Sequence, residues 1–555
     1  MNKKVCSFPI LFALLALLIG TCAVVFPASA QAAPTSTGSI TVSGTVASSY
    51  DAYQIFSANV VDGDSDAKTF TDLVWASDAV RDAALPVLHS AGMPNSQTTA
   101  QKAAEWLNTD SHLTGALSAQ LARSLQSSGA VSVALNAGTA AKLPSGQWLI
   151  VADDDAIAQG EVGTAPIMAL VGGGAVTVKP KAATPKVSKH VLEDSTAAWQ
   201  KAADATVADD LYWRLSATVP AGLTAYDTYA VRFVDTMGAG LDPSKVAASM
   251  RVYVAAGADG GFDAVSADKD GRVGTEPAKG WTDITAQCAT KIAADGTFTV
   301  RTGDLIAALG GADAFTAGAR VVAVYNAPLN SACNHGIAKG NPNEAYLCYP
   351  RSPFADQSGD AGFTRTPSDD ACAYTWDLAL TKRSSDGDKP LAGAVLSIAD
   401  DRGRTLAADG TWDAEGKATV TTGEDGRVTV SGVDSGKLEV CELKAPKGYT
   451  AFEGTRCVTV KAESLDVDQV AAAKPKLTIT AESPLRADSA DGSTGSLEAS
   501  LINTPTGTPP SITTGGFMPS TGDMAMYAAA AAAVAGAALI VVALLVKRGG
   551  GSHKE

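Results

Sequence analysis

Strand-like runs, short and rich in Val, Ile, Thr and aromatic residues, recur along this chain between turns of Gly, Asp, Ser and Pro. They include Ile40–Val42, the aromatic stretch Tyr50, Tyr53, Ile55 and Phe56, then Gln147–Val151, Ala175–Val178, Leu211–Leu215, Tyr229–Phe233, Arg320–Tyr325, Trp376–Lys382 and Leu497–Asn503. β-Branched and aromatic residues fit a pleated, half-buried surface, so these runs predict sheets, and their spacing over residues 376–505 is that of a sandwich. One stretch has a different period. Leu113, Leu117, Leu121 and Leu125 recur every four residues beside Trp106 and Leu107, which predicts an amphipathic helix packed on a sheet as part of its core.

Two long apolar runs stand at the ends. Residues 1–33 combine Lys3 and Lys4, an apolar stretch from Phe8 to Phe26 and small residues around Ala30 and Ala33, the pattern of a signal peptide that is removed on export. Met524 to Val546 is apolar for 23 residues, enough at about 1.5 Å per residue to span a hydrocarbon core of about 30 Å. Lys547 and Arg548 follow, so residues 547–555 form a basic cytoplasmic tail. Between the ends, Lys179-Pro180-Lys181-Ala182-Ala183-Thr184-Pro185-Lys186 reads as an extended linker, since its prolines exclude helix, and Thr504 to Pro510 as a stiff spacer.

The 555 residues leave room for about three globular units at roughly 100 to 200 residues each. Lys and Arg number 43 against 58 Asp and Glu, and the net charge of -15 argues against nucleic acid as a partner. Five histidines, and no GxSxG, HExxH or paired-carboxylate motif, argue against a surface enzyme, and no cofactor is implied. Cys6 and Cys22 fall in the signal peptide, leaving Cys288, Cys333, Cys348, Cys372, Cys441 and Cys457, an even count that predicts disulfides in an oxidising compartment. Cys441 and Cys457 flank a turn and are expected to pair, while the other four allow three pairings. A metal site is the rival for these thiols, and the absence of CxxC or His pairing speaks against it.

Three motifs carry a more specific resemblance. Met518-Pro519-Ser520-Thr521-Gly522, followed by the apolar run and the basic tail, resembles the cell-wall sorting signal Leu-Pro-x-Thr-Gly of sortase substrates, with Met518 in place of Leu. Val176-Thr177-Val178-Lys179-Pro180-Lys181 resembles the pilin motif Val-x-Val-Tyr-Pro-Lys, with Lys179 in place of Tyr. Leu438 to Tyr449 resembles the pilin E-box, matching at Glu442, Ala445, Pro446, Gly448 and Tyr449 but carrying Leu438, Val440 and Leu443 where the family has Tyr, Leu and Thr. With Pro390 to Ala394, this stretch makes the third unit similar to the B-type repeat of Gram-positive collagen adhesins.

By this resemblance the chain is identified as a member of the sortase-assembled backbone pilins: mainly β, with tandem immunoglobulin-like sandwiches of collagen-adhesin type, an N-terminal α+β domain and a C-terminal transmembrane helix. The implied organisation is 1–33 signal peptide, 34–180 N-terminal pilin domain, 181–375 middle isopeptide-type domain, 376–505 collagen-adhesin B-type domain, 506–517 spacer, 518–522 sorting motif, 524–546 membrane span and 547–555 tail. A sortase cysteine attacks the Thr521 carbonyl, releases the chain from Gly522 onwards and passes the acyl group to Lys181 of the next subunit, with Lys179 and Lys186 as competitors. The implied partners are a pilus-specific or housekeeping sortase, other copies of the chain, peptidoglycan, accessory pilins and a host receptor. A wall-anchored adhesin that does not polymerise is the alternative.

The resemblance also implies internal crosslinks. In the third unit Lys382 on the first strand and Asn503 on the last would form an amide with Glu442 assisting. In the middle unit Lys189 and Asp235 fall on the family's lysine and helper carboxylate, and Tyr325-Asn326-Ala327-Pro328-Leu329-Asn330 on its Tyr-x-Ala-x-Leu-Asn segment. The acceptor is missing there, because Tyr349-Pro350-Arg351-Ser352-Pro353 stands where the family has Tyr-Ser-Asn-Asn-Pro. Asn341 and Asn343 lie nearby as substitutes, and the four cysteines of that unit are the alternative staple.

Overall fold

A computed structural model describes residues 36–62, 68–109, 111–180, 184–221, 223–257, 261–463 and 465–507. Lys181, the signal peptide, the sorting motif Met518–Gly522, the apolar run 524–546 and the basic tail lie outside these residues. Among the described residues no helix is long and apolar enough to cross a membrane.

The architecture is mainly β, arranged as paired sheets that enclose separate cores. In the N-terminal part, strand Ser49–Asp62 lies between Lys68–Trp75 and Gly146–Ala152, while Thr37–Val42 pairs with Ala141–Pro144 and, in parallel, with Ala175–Val178. Helices Asp78–Ser90, Ala100–Leu107 and Gly115–Ser128 pack on one face of this assembly. Leu117, Leu121 and Leu125 are buried as their spacing predicts, but Leu113 precedes the helix. Thr114 ends the run there: its extended backbone and its side chain, which accepts from Leu117 N, make it the N-cap.

The middle part is two facing sheets. One has the order Ala198–Gln200, Val187–Glu193, Tyr212–Thr218, Arg320–Asn326, Arg251–Ala255, Thr282–Asp283, and the other is built around Asn341–Pro350 and Arg232–Met237. Trp213, Phe233, Phe298, Tyr325 and Leu347 fill the space between them. Strand Arg232–Met237 begins later than the run Tyr229–Phe233, because Tyr229 N is bonded to Asp304 and Val231 N to Thr302 instead of to a sheet partner.

In the last part, strand Trp376–Ser384 sits centrally between Arg427–Val433 and, in parallel, Ser496–Pro505. The facing sheet runs Val395–Ala399, Gly436–Lys444, Thr455–Glu463, Lys476–Ala481. Trp376 Nε1 donates to Asp204 Oδ2 at 2.6 Å, and Arg404 donates to both Asp209 oxygens, so side-chain hydrogen bonds fasten the middle part to the last one.

The disulfide expectation is corrected: all six described cysteines are free thiols. In the strand register Cys441 faces Thr455 and Cys457 faces Glu439, so the two are diagonal neighbours. Such diagonal positions are about 7 to 8 Å apart, beyond the roughly 4.4 to 6.8 Å between Cα atoms that a disulfide takes. With the four remaining cysteines also free, no disulfide staples the middle part in place of an amide.

Candidate functional site

Period-two alternation brings three polar side chains into the last core. Along Trp376–Ser384 the residues Trp376, Leu378, Leu380 and Lys382 are buried, so Lys382 continues a row of core positions. Leu438, Val440 and Glu442 do the same on the facing sheet, and Leu497, Ala499, Leu501 and Asn503 on the parallel neighbour. Lys382 and Asn503 are 0% and 2% exposed. The parallel register sets Lys382 opposite Leu501, with Asn503 opposite Ser384.

The three groups touch. Lys382 Nζ donates to Asn503 Oδ1 in a close contact, and Asn503 Nδ2 donates to Glu442 Oε1 at 2.8 Å. The same Glu442 oxygen lies 3.2 Å from Lys382 Nζ, and Glu442 Oε2 accepts from Phe452 N at 3.1 Å. Burial pushes the Lys382 ammonium down to about 8, against the opposing attraction of Glu442. A neutral amine is therefore within reach near neutral pH, resting on a carboxamide whose nitrogen is held by a carboxyl group.

The middle core holds a second group of this kind, with a different wiring. Lys189, Asp235, Tyr325 and Asn343 are all 0% exposed. Lys189 Nζ forms a close ion pair with Asp235 Oδ2 and donates to the Tyr325 hydroxyl at 2.8 Å. That hydroxyl donates to Asp235 Oδ2 at 2.8 Å and accepts from Asn343 Nδ2 at 2.9 Å. Asn343 Oδ1 and Asp235 Oδ1 are buried with no hydrogen-bond partner. Burial lowers the pKa of Lys189 and raises that of Asp235, each against the pull of the other charge, so desolvation favours the neutral pair. Trp213 and Tyr325 present their rings about the amine at 5.4 and 5.3 Å.

These contacts choose between the two substitute asparagines. Asn341 is fully engaged as a loop brace: its side chain accepts from Asn334 N and donates to Asn334 O and Ala373 O. Asn343 is the one brought to the lysine, through the Tyr325 hydroxyl. The alternation Asn343, Ala345, Leu347 along a buried strand face was a signal the sequence carried for it. No sequence pattern marked Tyr325 as the bridging group.

Comparison with known proteins bears first on the last part of the chain. Residues 377–474 match the model of the family described as "SpaA: Prealbumin-like fold domain". These residues are similar to that domain. Lys382 and Glu442 both fall inside the SpaA-type domain, whereas Asn503 lies beyond the matched stretch. A stretch of 143 residues is 31% identical to the trypsin-resistant surface T6 protein of Streptococcus pyogenes serotype M6, and the match spans 24% of each chain. The chain is also similar to the solved T6 backbone pilin of serotype M6 S. pyogenes, at 17% identity and a TM-score of 0.45, covering 85% of this chain and 99% of that one. The full-length major pilin SpaD of Corynebacterium diphtheriae gives 15% identity and a TM-score of 0.40, with 85% and 97% covered.

Proposed function

We propose that this chain is the backbone subunit of a covalent surface pilus, exported, polymerised by a sortase and finally joined to peptidoglycan. The observation that carries this reading is the buried Lys382–Asn503–Glu442 contact within and beside a SpaA-type domain. A single-use amide-forming site suits a subunit built to bear load, since it ties the first strand of a domain to its last. The neutral Lys382 amine attacks Cγ of Asn503. Glu442 hydrogen-bonds the carboxamide nitrogen and delivers a proton to it as ammonia leaves, and the lysine proton returns to the carboxylate. One C–N bond forms and one breaks, with no cofactor.

A second amide, between Lys189 and Asn343 with Asp235 as the assisting acid, is supported by the four wholly buried groups of the middle core and by the orphaned Asn343 oxygen. Between subunits, Thr521 supplies the acyl group and Lys181 the amine. Accessory pilins and a host receptor are further partners of the finished fibre.

Cell-wall extracts test the polymer. The wild type gives a ladder of high-mass bands and Lys181→Ala a single wall-linked band, while Thr521→Ala stays in the membrane fraction with its tail attached. An unchanged ladder in Lys181→Ala transfers the role to Lys179 or Lys186. A single wall-linked band from the wild type supports the non-polymerised adhesin instead.

A further inference from the structure

A cleft of about 350 Å³ opens where residues 157–159 of the N-terminal part meet the middle part. Its chemistry runs against the acidic character of the chain. Arg232, Arg351 and Arg365 line it, and the one carboxylate in the wall, Asp360, is already paired with Arg232 and is 83% exposed. Two of the guanidinium groups rest over aromatic rings before any ligand arrives. Arg365 lies over the Tyr346 ring at 5.0 Å, and Arg232 over Phe363 at 5.7 Å with Arg301 on the same ring at 5.6 Å. Arg351 is braced on the carbonyls of Asp154 and Ala361.

One cation keeps its donors free for a ligand: among the described residues the exposed Arg365 has no ion pair or hydrogen bond through its guanidinium, whereas Nε of Arg232 and Nε of Arg351 are buried away from solvent without an acceptor. The cleft is also firmly built, because Gly160 N donates to Thr364 Oγ1 at 2.8 Å, Tyr349 OH to Gly160 O at 2.8 Å and Gly163 N to Arg351 O at 2.6 Å across the junction. A guanidinium with its donors spare, beside two further cations, suits an oxyanion, which it can bind through two parallel hydrogen bonds.

We propose that this cleft binds a saccharide carrying an acidic group. Its volume is near the lower end of small-ligand sites, at which a single ring fits and an extended peptide does not. Its aromatic walls are covered by guanidinia and its other lining includes Gln159 and Thr364, so a hydroxyl-rich anion is better served than an apolar one. The acidic group is a carboxylate or a sulfate, which guanidinium recognises alike. The inference does not depend on polymerisation or on the internal amides.

Equilibrium dialysis of the purified full chain against radiolabelled glucuronate, glucose 6-sulfate, glucose and acetate tests it. Saturable binding of one or both acidic sugars is expected, with glucose and acetate at least tenfold weaker, and the arm that binds more tightly identifies the acidic group. Arg365→Ala, an exposed change that leaves the junction hydrogen bonds in place, weakens that binding at least tenfold. No saturable binding of either acidic sugar, equal binding by Arg365→Ala, or acetate binding as tightly as the sugars overturns the proposal.

Discussion

The two buried lysines sit in cores of the same kind and differ in what stands between the amine and the carboxamide. At Lys382 the amine touches Asn503 itself, and one Glu442 oxygen reaches both partners. At Lys189 the amine is paired with Asp235, and the Tyr325 hydroxyl lies between it and Asn343. Burial thus lowers the lysine pKa in either place, and the difference lies in whether the amine touches its carboxamide directly. In the last domain the acceptor strand runs parallel to the lysine strand in one sheet, whereas in the middle domain the lysine lies in one sheet and Asn343 in the facing one. The phenol fills the gap that this arrangement leaves.

The largest expected effect comes from removing the closer link. Lys382→Ala and Glu442→Ala each keep the one ammonia that the wild type loses, read by intact mass against the encoded mass of each chain. The proposed amide would join residues 121 apart in sequence, and by analogy with a disulfide closing a loop of that size its loss is expected to cost about 4 to 5 kcal/mol in thermal unfolding. Wild-type mass equal to the encoded value for the mature chain would remove both amides at once. Next is Asp235→Ala, which takes the buried hydrogen-bond partner from both the Lys189 amine and the Tyr325 hydroxyl. A loss of about 1 to 3 kcal/mol is expected in denaturant titrations, together with one retained ammonia.

The rate of the first mass loss should also respond to pH. In freshly refolded chain it rises as pH climbs through about 8, where Lys382 gives up its proton, and levels off above. The linkage has the same sign. An unfolded lysine holds its proton to about 10.4, so between those values the unfolded state binds more protons, and an uncrosslinked Asn503→Ala chain gains stability as pH rises through the window. A rate that is flat from pH 6 to 10 would refute the neutral-amine step.

Tyr325→Phe sharpens the comparison directly. Removing the hydroxyl costs about 1 to 3 kcal/mol, because Asn343 and Asp235 lose a buried partner, and it shortens the delay between the two mass losses if the phenol acts as a spacer. The smallest effect belongs to Cys441→Ser and Cys457→Ser. Both thiols are free and half-buried on the outer strand face, so each change is expected to stay within about 0.5 kcal/mol, and reductant leaves the wild-type mass and melting temperature unaltered.

Much of this was written in the sequence. The strand periods, the four-residue leucine spacing and the apolar runs follow from local chemistry, and they sufficed to expect a mainly β chain with a helical insert. Lys382, Glu442 and Asn503 were legible only through the family resemblance; the local reason they end in the core is that each continues an apolar alternation, which commits a side chain to the core whatever its polarity. The sequence did not determine which groups meet across the sheets. Cys441 and Cys457 flank a turn, yet a two-residue offset in register separates them, and register is set by the packing of a whole face. Asn343 was separated from Asn341 only by which of them the loop around Asn334 had already used. The arginine cleft assembles residues from positions 157 to 365, brought together by hydrogen bonds across a junction of two cores. Alternation along one strand is a local rule that a sequence can state by itself, whereas contact between strands of different sheets depends on the twist, register and packing of every strand between them, and only the tertiary structure decides that.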